Sequence, residues 1–454
     1  MVVMAAASVV DAGAKTIVFF PEGAFGPTNN CVGIGNVLRS RGHRVVFIIE
    51  ESFEGTLAAK GFEERLMRLA PPPEEEEVPG QFWKDFIRDT APEFRKPTIE
   101  QISSFLAPTW QALIDGATYV DDRLREIYEE VQPDAVVEDN VVSFPTLPAM
   151  ASRVPWVRIA SCNPAELKDP AIPPVFSGYA ANGDTSGWAE FWEEYDRVLS
   201  PMAAAFSEFC VERGAPPLGA REFIHGSPFL NLYVYPEEAD YARRDPLAAT
   251  WHRLDSSVRT TDEPWEVPAS LGGSGGSGDG KLIYLSLGSL ASADVSLMER
   301  LVEVLATSPH RFVVSKGPQA DLYEVADNMH GAEFLPQTSI LPHVDLVITH
   351  GGNNTVTEAF HFGKPMIVLP VFWDQYDNAQ RVDELGYGVR LPTYEFEAPA
   401  MLAAIEELLS GVERRAALAT ISSRLQASPG TARAADLIEQ VARTGEPVRN
   451  ASAS

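Results

Sequence analysis

What this chain can fold into is limited most by a pattern repeated on either side of the stretch TTDEPWEVPASLGGSGGSGDG, residues 260–280. On the first side KTIVFF (15–20) is β-rich and closes at Pro21. A Gly-rich turn then leads into CVGIGNVLRSRG, which reads as a helix, and HRVVFII reads as a second strand. This is a βαβ opening. PDAVVEDN (133–140) and VPWVRIAS (154–161) read as short buried strands between helical patterns, as in a parallel sheet covered on both faces. On the second side KLIYLSLGS (281–289) starts the series again, and HRFVVSKG, VDLVITHGG and PMIVLP continue it. The glycines and serines between the two series support no packed element, so 255–280 is expected to be a flexible linker. It would join an N-terminal domain, 1–254, to a C-terminal one, 281–428. GTARAADLIEQVART follows Pro429-Gly430, and 429–454 is expected to be a helix and tail packing back across the interface. The expected class is therefore α/β, two Rossmann-like parallel sheets facing a central cleft, with ligands outside the carboxyl ends of the strands.

Composition removes several functions. The 454 residues, 45% apolar, suffice for two or three cores, while a formal net charge of -28 gives no general attraction to nucleic acid or anionic membranes. Cys31, Cys162 and Cys210 are widely spaced and odd in number, which supports neither a disulfide framework nor a metal site and fits a reducing cytoplasm. The apolar MVVMAAASVV lacks a basic flank and meets Asp11 too soon to span a bilayer; PPPEEEE (71–77) reads as a solvated loop. Gly33 and Gly35 fall inside the first helix rather than in a turn, so a dinucleotide fingerprint is poorly supported.

The most informative run is FLPQTSILPHVDLVITHGGNNTVTEAFHFGKPMIVLPVFWDQYDNAQRV. A strand delivers His350-Gly351-Gly352, whose glycines allow a tight turn and close approach of backbone to a ligand. Asn353, Asn354 and Thr355 then open a helix, and exposed amides at a helix N-terminus favour an anion. Glu358 lies on the same helical face as Thr355, where its carboxylate can accept from sugar hydroxyls. MIVLP brings Asp374 and Gln375 to the same rim, and a carboxylate beside an amide suits neighbouring hydroxyls better than a phosphate. Taken singly, each is an ordinary turn or cap.

Together they resemble the donor-binding signature of the family 1 glycosyltransferases, closely over about 55 residues and weakly elsewhere through YLSLGS and RGHRVVF. The resemblance implies a GT-B fold and a transferase that moves a hexose, with inversion, from a UDP-sugar (or a TDP-sugar) to a hydroxyl of a small hydrophobic molecule. No metal or other cofactor is implied. It also implies roles: Phe334 stacks on the base, Gln337 contacts base or ribose, His350 and Ser289 hold the diphosphate with Gly352, Asn354 and Thr355, Glu358 binds the ribose, and Asp374 with Gln375 reads the hexose.

The N-terminal half departs from the family. Its members use a His on the first loop to deprotonate the acceptor and an Asp on a later strand to orient that His. Asp139, beside Glu138, is the counterpart of the Asp, but Pro27 stands in the catalytic His position and His43 belongs to a turn. Pro27 suits the first turn of a helix and cannot accept a proton. Either Asp139 or Glu22 is the base, or the acceptor is acidic, or the chain is a sugar-nucleotide-binding relative with weak activity; an epimerase of the same two-lobed fold is a further reading. Trp83, Phe86, Phe105, Trp110, Phe144, Phe176 and Trp192 are divided between an acceptor pocket and the core.

Overall fold

Two parallel sheets carry the architecture of the computed structural model, which describes residues 13–23, 25–72, 89–260, 262–272 and 280–450. In the first half β1 (Thr16–Pro21), β2 (Arg44–Glu50), β3 (Glu63–Met67), β4 (Ala135–Asp139), β5 (Trp156–Ala160), β6 (Leu230–Tyr233) and β7 (Trp251–Arg253) lie in the order 3-2-1-4-5-6-7. In the second, β8 (Leu282–Ser286), β9 (Arg311–Ser315), β10 (Met329–Ala332), β11 (Leu346–Thr349), β12 (Met366–Val368) and β13 (Gly388–Arg390) lie in the order 10-9-8-11-12-13. The central strands are mostly apolar because helices cover both faces, with Glu138, Asp139 and Arg158 the buried charged exceptions in β4 and β5. In β1, Val18 pairs with Val46 and Val136, and Ile17 and Phe19 are wholly buried.

The principal helices are α1 (Phe25–Ser40), α2 (Ala107–Val131), α3 (Ser186–Glu212), α4 (Val295–Ala306), α5 (Asn353–His361), α6 (Gln375–Glu384), α7 (Ala398–Ser410), α8 (Val412–Ala427) and α9 (Gly430–Thr444). Although it ends the chain, α9 belongs to the first domain's core. Its Ala434, Ala435, Ile438, Val441 and Ala442 are buried with Ile17, Phe19, Val32 and Ile34 of β1 and α1. Burial of Ile438 and Val441 alone contributes about 1.5–3 kcal/mol each. Gly430 permits the entry to this helix, since a Cβ there would collide with the carbonyl oxygens of Leu254 and Ser256.

The linker is where the sequence reading needs correction. Asp255 accepts from Arg253 at 3.0 Å and pairs with Arg424 at 3.2 Å, and Arg259 reaches Glu358 at 3.0 Å. Residues 255–260 are thus fixed by polar contacts with both domains rather than flexible, while 273–279 lie outside the described residues. The aromatic set divides between cleft and core. Phe105 reaches the cleft, whereas Trp110, Phe144 and Phe176 are core, Trp192 packs against it, and Trp83 and Phe86 lie outside the described residues.

Candidate active site

In both sheets the strand order reverses beside the first strand, between β1 and β4 and between β8 and β11. A crevice opens at such switch points outside the carboxyl ends of the strands. The two crevices face one another and merge into one cavity of about 710 Å³, within the range that takes a small ligand. Pro27, Asp139, Ser289, Phe334, Gln337, His350, Gly352, Asn354, Thr355, Glu358, Asp374 and Gln375, the residues singled out from the sequence, all line it.

On the C-terminal side, β11 ends at Thr349 and Gly351 turns the chain with φ of 87°, which only glycine adopts without strain. The His350 ring lies between Gly288 and Gly352, and a Cβ on either would come within 3 Å of it. Burial, opposed by a hydrogen bond to the Ser286 backbone, holds the imidazole pKa down to about 4, so the ring is neutral at pH 7. The amides opening α5 follow directly. Phe334, beyond β10, is 56% exposed at the cavity mouth, an unusual place for an aromatic ring and suited to a flat partner.

Several of these side chains already have protein partners. Glu358 Oε2 accepts from Gln337 Nε2 at 2.5 Å, and Gln337 also donates to Thr355 Oγ1 at 3.2 Å. Asn354, expected to face phosphate, instead spends its amide on the other domain: Nδ2 donates to the Gly26 carbonyl at 2.8 Å and Oδ1 accepts from Asn30 at 2.9 Å. Its backbone N–H is the group left for an anion. Asp374 accepts from the Asn163 backbone at 2.7 Å and Asn378 at 3.3 Å, while Gln375 Oε1 accepts from the Val371 and Phe372 amides at 3.0 and 3.2 Å. Trp373, just before them, has φ of 58° and lines the cavity with its ring against Trp110 and Phe176, at 5.2 and 4.7 Å. A non-glycine in that region is strained by about 1–3 kcal/mol; the contacts of the half-buried indole with Trp110 and Phe176 oppose that strain.

On the N-terminal side Pro27 lies in the third position of α1, without chemistry of its own. Asp139 ends β4 and accepts from Ser161, which in turn accepts from Asn30 at 2.9 Å. Burial raises the Asp139 carboxyl to about 8. Glu22 follows β1 directly, its backbone N–H donating to the Asp139 carbonyl at 2.8 Å and its side chain lining the cavity. Burial first, and the nearby Glu166 carboxylate second, raise it to about 7. The sequence reading left Glu22 one of two candidates; it missed Arg259, Asn30 and Asn163, none of which sits in a recognisable motif. His43 is structural, accepting from the Lys15 backbone at 3.0 Å. All three cysteines are unpaired, and among the described residues no cluster of metal-binding side chains occurs and no helix is long and apolar enough to cross a membrane.

Two parallel α/β domains closing on a shared cleft, with a helix N-terminus and a carboxylate–amide rim on one wall, define the GT-B class of glycosyltransferase. The profile of the erythromycin biosynthesis protein CIII-like C-terminal domain matches residues 299–441. The chain is 26% identical to the zeaxanthin glucosyltransferase of Pantoea ananas, covering 76% of this chain and 81% of that one. It is also 26% identical to the oleandomycin glycosyltransferase of Streptomyces antibioticus, covering 93% and 90%. The crystal structure of the kitacinnamycin glycotransferase superimposes with a TM-score of 0.66 at 22% identity over 94% of this chain and 99% of the other, a likeness of fold. The chain is thus similar over most of its length to glycosyltransferases, macrolide-modifying ones among them, and shares their GT-B fold.

Proposed function

We propose that the protein transfers a hexose, with inversion, from a nucleotide-diphosphate sugar to a hydroxyl of a small hydrophobic molecule in the cytoplasm. UDP is the favoured nucleotide and TDP the alternative. One observation carries the reading: a single cavity joins an anion-binding helix N-terminus and a hydroxyl-reading rim on one wall to an unpaired carboxylate on the other. Phe334 stacks on the base, Gln337 and Glu358 take the nucleoside, the first amides of α5 and His350 meet the diphosphate, and Asp374 with Gln375 reads the hexose. Phe105, Leu113, Val141, Phe372 and Trp373 supply the apolar acceptor wall.

Glu22 takes the place of the absent histidine. The acceptor oxygen bonds to the anomeric carbon as the bond from that carbon to the β-phosphate oxygen breaks; the proton passes to the Glu22 carboxylate, and the bonding pair leaves with the nucleoside diphosphate. A carboxyl titrating near 7 is matched to this work at neutral pH. Asp139 serves less well, because Ser161 already donates to it and it titrates higher. Pro27 favours a second reading, a protein that binds the donor and transfers slowly. Mass spectrometry of the protein incubated with UDP- and TDP-hexoses and a mixture of phenols and alkyl alcohols separates the two. Glycoside formation that needs Glu22 supports transfer. Nucleotide binding without product, under all acceptors, leaves only the second reading.

A further inference from the structure

The segment that joins the domains enters the nucleoside side of the cavity. Arg259 and Asp262 both line it, and Gly33 of α1 and Thr431 of α9 close over the backbone there: a Cβ on Gly33 would lie 3.4 Å from Arg259 Cα and 3.2 Å from Thr431. The Arg259 guanidinium is gripped on one side by Asp262, with Nε to Oδ1 at 2.7 Å and Nη2 to Oδ2 at 2.9 Å. Asp262 is itself fixed by the Thr338 hydroxyl and amide at 2.8 and 3.2 Å. On the other side Nη1 donates to Glu358 Oε1 at 3.0 Å, while Gln337 holds Oε2. Side-chain exposures of 11%, 10% and 3% for Arg259, Asp262 and Glu358 leave the network largely buried at the cavity wall. A buried carboxylate whose acceptors are left empty is costly, and a site built to be completed by a substrate hydroxyl rejects a substrate lacking it. Here both Glu358 oxygens are supplied by the protein.

We infer that Arg259 is a specificity-determining residue of the donor site: by satisfying Glu358 from within, it frees nucleoside binding from dependence on the ribose 2′-hydroxyl. This rests on the reading of Glu358 as the nucleoside's hydroxyl acceptor. Uridine and 2′-deoxyuridine nucleotides differ in that hydroxyl alone and therefore bind alike, and thymidine nucleotides are accepted as well. The sugar's remaining hydroxyl donates to the second lone pair of a Glu358 oxygen. Without the guanidinium, one Glu358 oxygen loses its donor, and only a nucleotide with both hydroxyls restores it.

The test is calorimetry of the full chain with UDP, 2′-deoxy-UDP and TDP. In the unaltered protein UDP and 2′-deoxy-UDP are expected to bind within about threefold of each other; in Arg259→Met the deoxy nucleotide should fall behind by about tenfold or more. Asp262→Asn, which loosens the grip on Arg259 without removing it, should give an intermediate ratio and covers the case in which Arg259→Met fails to fold. A tenfold preference for UDP in the unaltered protein overturns the inference, as does a ratio that neither variant changes. If no nucleoside diphosphate binds at all, the donor-site reading falls with it, an outcome distinct from normal binding with an unmoved ratio.

Discussion

The two walls of the cleft are built on the same topology, and two of their carboxyl sites handle charge differently, the nucleoside-side Glu358 on one and Glu22 with Asp139 on the other; Asp374 of the C-terminal rim, unpaired and raised by burial, behaves like the latter. On the C-terminal wall the nucleoside-side carboxylate is paired: Glu358 has Arg259 and Gln337, and Asp262 has Arg259. On the N-terminal wall Glu22 and Asp139 make no salt bridge among the described residues, although the neighbouring Glu166 pairs with Arg158, and burial raises both well above the usual carboxylate range. A paired wall binds an ordered ligand without reorganising. A carboxyl without an ion-pair partner and poised near neutrality, such as Glu22, is instead suited to exchanging protons. Under the proposed function the difference gives recognition to Glu358 and proton transfer to Glu22, and each can be tested without disturbing the other.

The largest effect is expected from Glu22→Gln, which keeps size and removes the proton acceptor. It should lower kcat for alkyl alcohols by about 10²–10⁴-fold, the usual contribution of a positioned base, while calorimetric affinity for UDP stays within twofold of the starting value, roughly the error of such a comparison. Pro27→His in that background should recover part of the loss if Asp139 orients the new imidazole. An unchanged kcat in Glu22→Gln would remove the proton-exchanging role from the N-terminal wall altogether.

The C-terminal counterpart is Glu358→Ala. It leaves Arg259 and Gln337 without their shared acceptor and should weaken nucleoside diphosphate binding by about 1.5–3 kcal/mol, the range for a hydrogen bond to a charged group. Transfer at saturating donor should change little. A variant that instead binds UDP normally and loses kcat would show the walls' roles reversed.

The contrast in charge handling also predicts how stability depends on pH. Glu22, Glu138, Asp139, Asp374 and Asp377 titrate at about 7 to 8 in the fold, pushed up chiefly by burial, against roughly 4 for an unperturbed carboxyl. Between those limits the folded chain holds more protons than the unfolded one. Stability contributed by these groups is therefore complete below about pH 4 and is lost as pH rises through 7 to 8. Arginine-paired carboxylates such as Glu63 and Asp196, held low by their partners, act in the opposite sense at more acidic pH. The urea midpoint should accordingly be higher at pH 5.5 than at pH 8.5. Asp377→Asn should flatten the fall, since the amide oxygen can still accept from the Phe176 or Gly178 backbone that Asp377 now holds at 2.6 and 2.8 Å. A midpoint that rises across this interval would mean the carboxyls are ionised and solvated in the fold.

How much of this could be read beforehand follows from the same contrast. The C-terminal wall is local: β11, the Gly-Gly turn and α5 are consecutive, so spacing alone places His350, Thr355 and Glu358 at one cavity. Strands β1, β2, β4, β5, β8, β9, β11 and β12 are apolar runs and were visible for that reason. By contrast β3 (EERLM) is largely charged, and β7, β10 and β13 have three or four residues each, too few to show a period. Arg259 was hidden because its surroundings, SSVRTTDE, look like linker, and only the tertiary fold turns it toward Glu358. The engagement of Asn354 with Asn30 and Gly26 joins residues more than 300 apart in sequence and leaves no trace in either segment.

The smallest effect concerns the rim of the C-terminal wall. Phe334 is exposed, so truncating it costs the fold little, and any change in binding reports contact with the ligand rather than damage to the site. Base–aromatic stacking contributes about 1–3 kcal/mol in enclosed grooves; a ring with more than half its surface in solvent should fall at the lower end, about 1 kcal/mol. Phe334→Ala is therefore expected to weaken UDP binding roughly fivefold with an unchanged melting temperature, and Phe334→Trp, which enlarges the stacking face, to strengthen it by up to about threefold. Because stacking tolerates any base, UDP and TDP should lose equally in Phe334→Ala, whereas changes at Arg259 alter their ratio. Unequal losses at Phe334 would place base discrimination at the rim, and no loss would show that the base lies deeper in the cavity, away from the mouth.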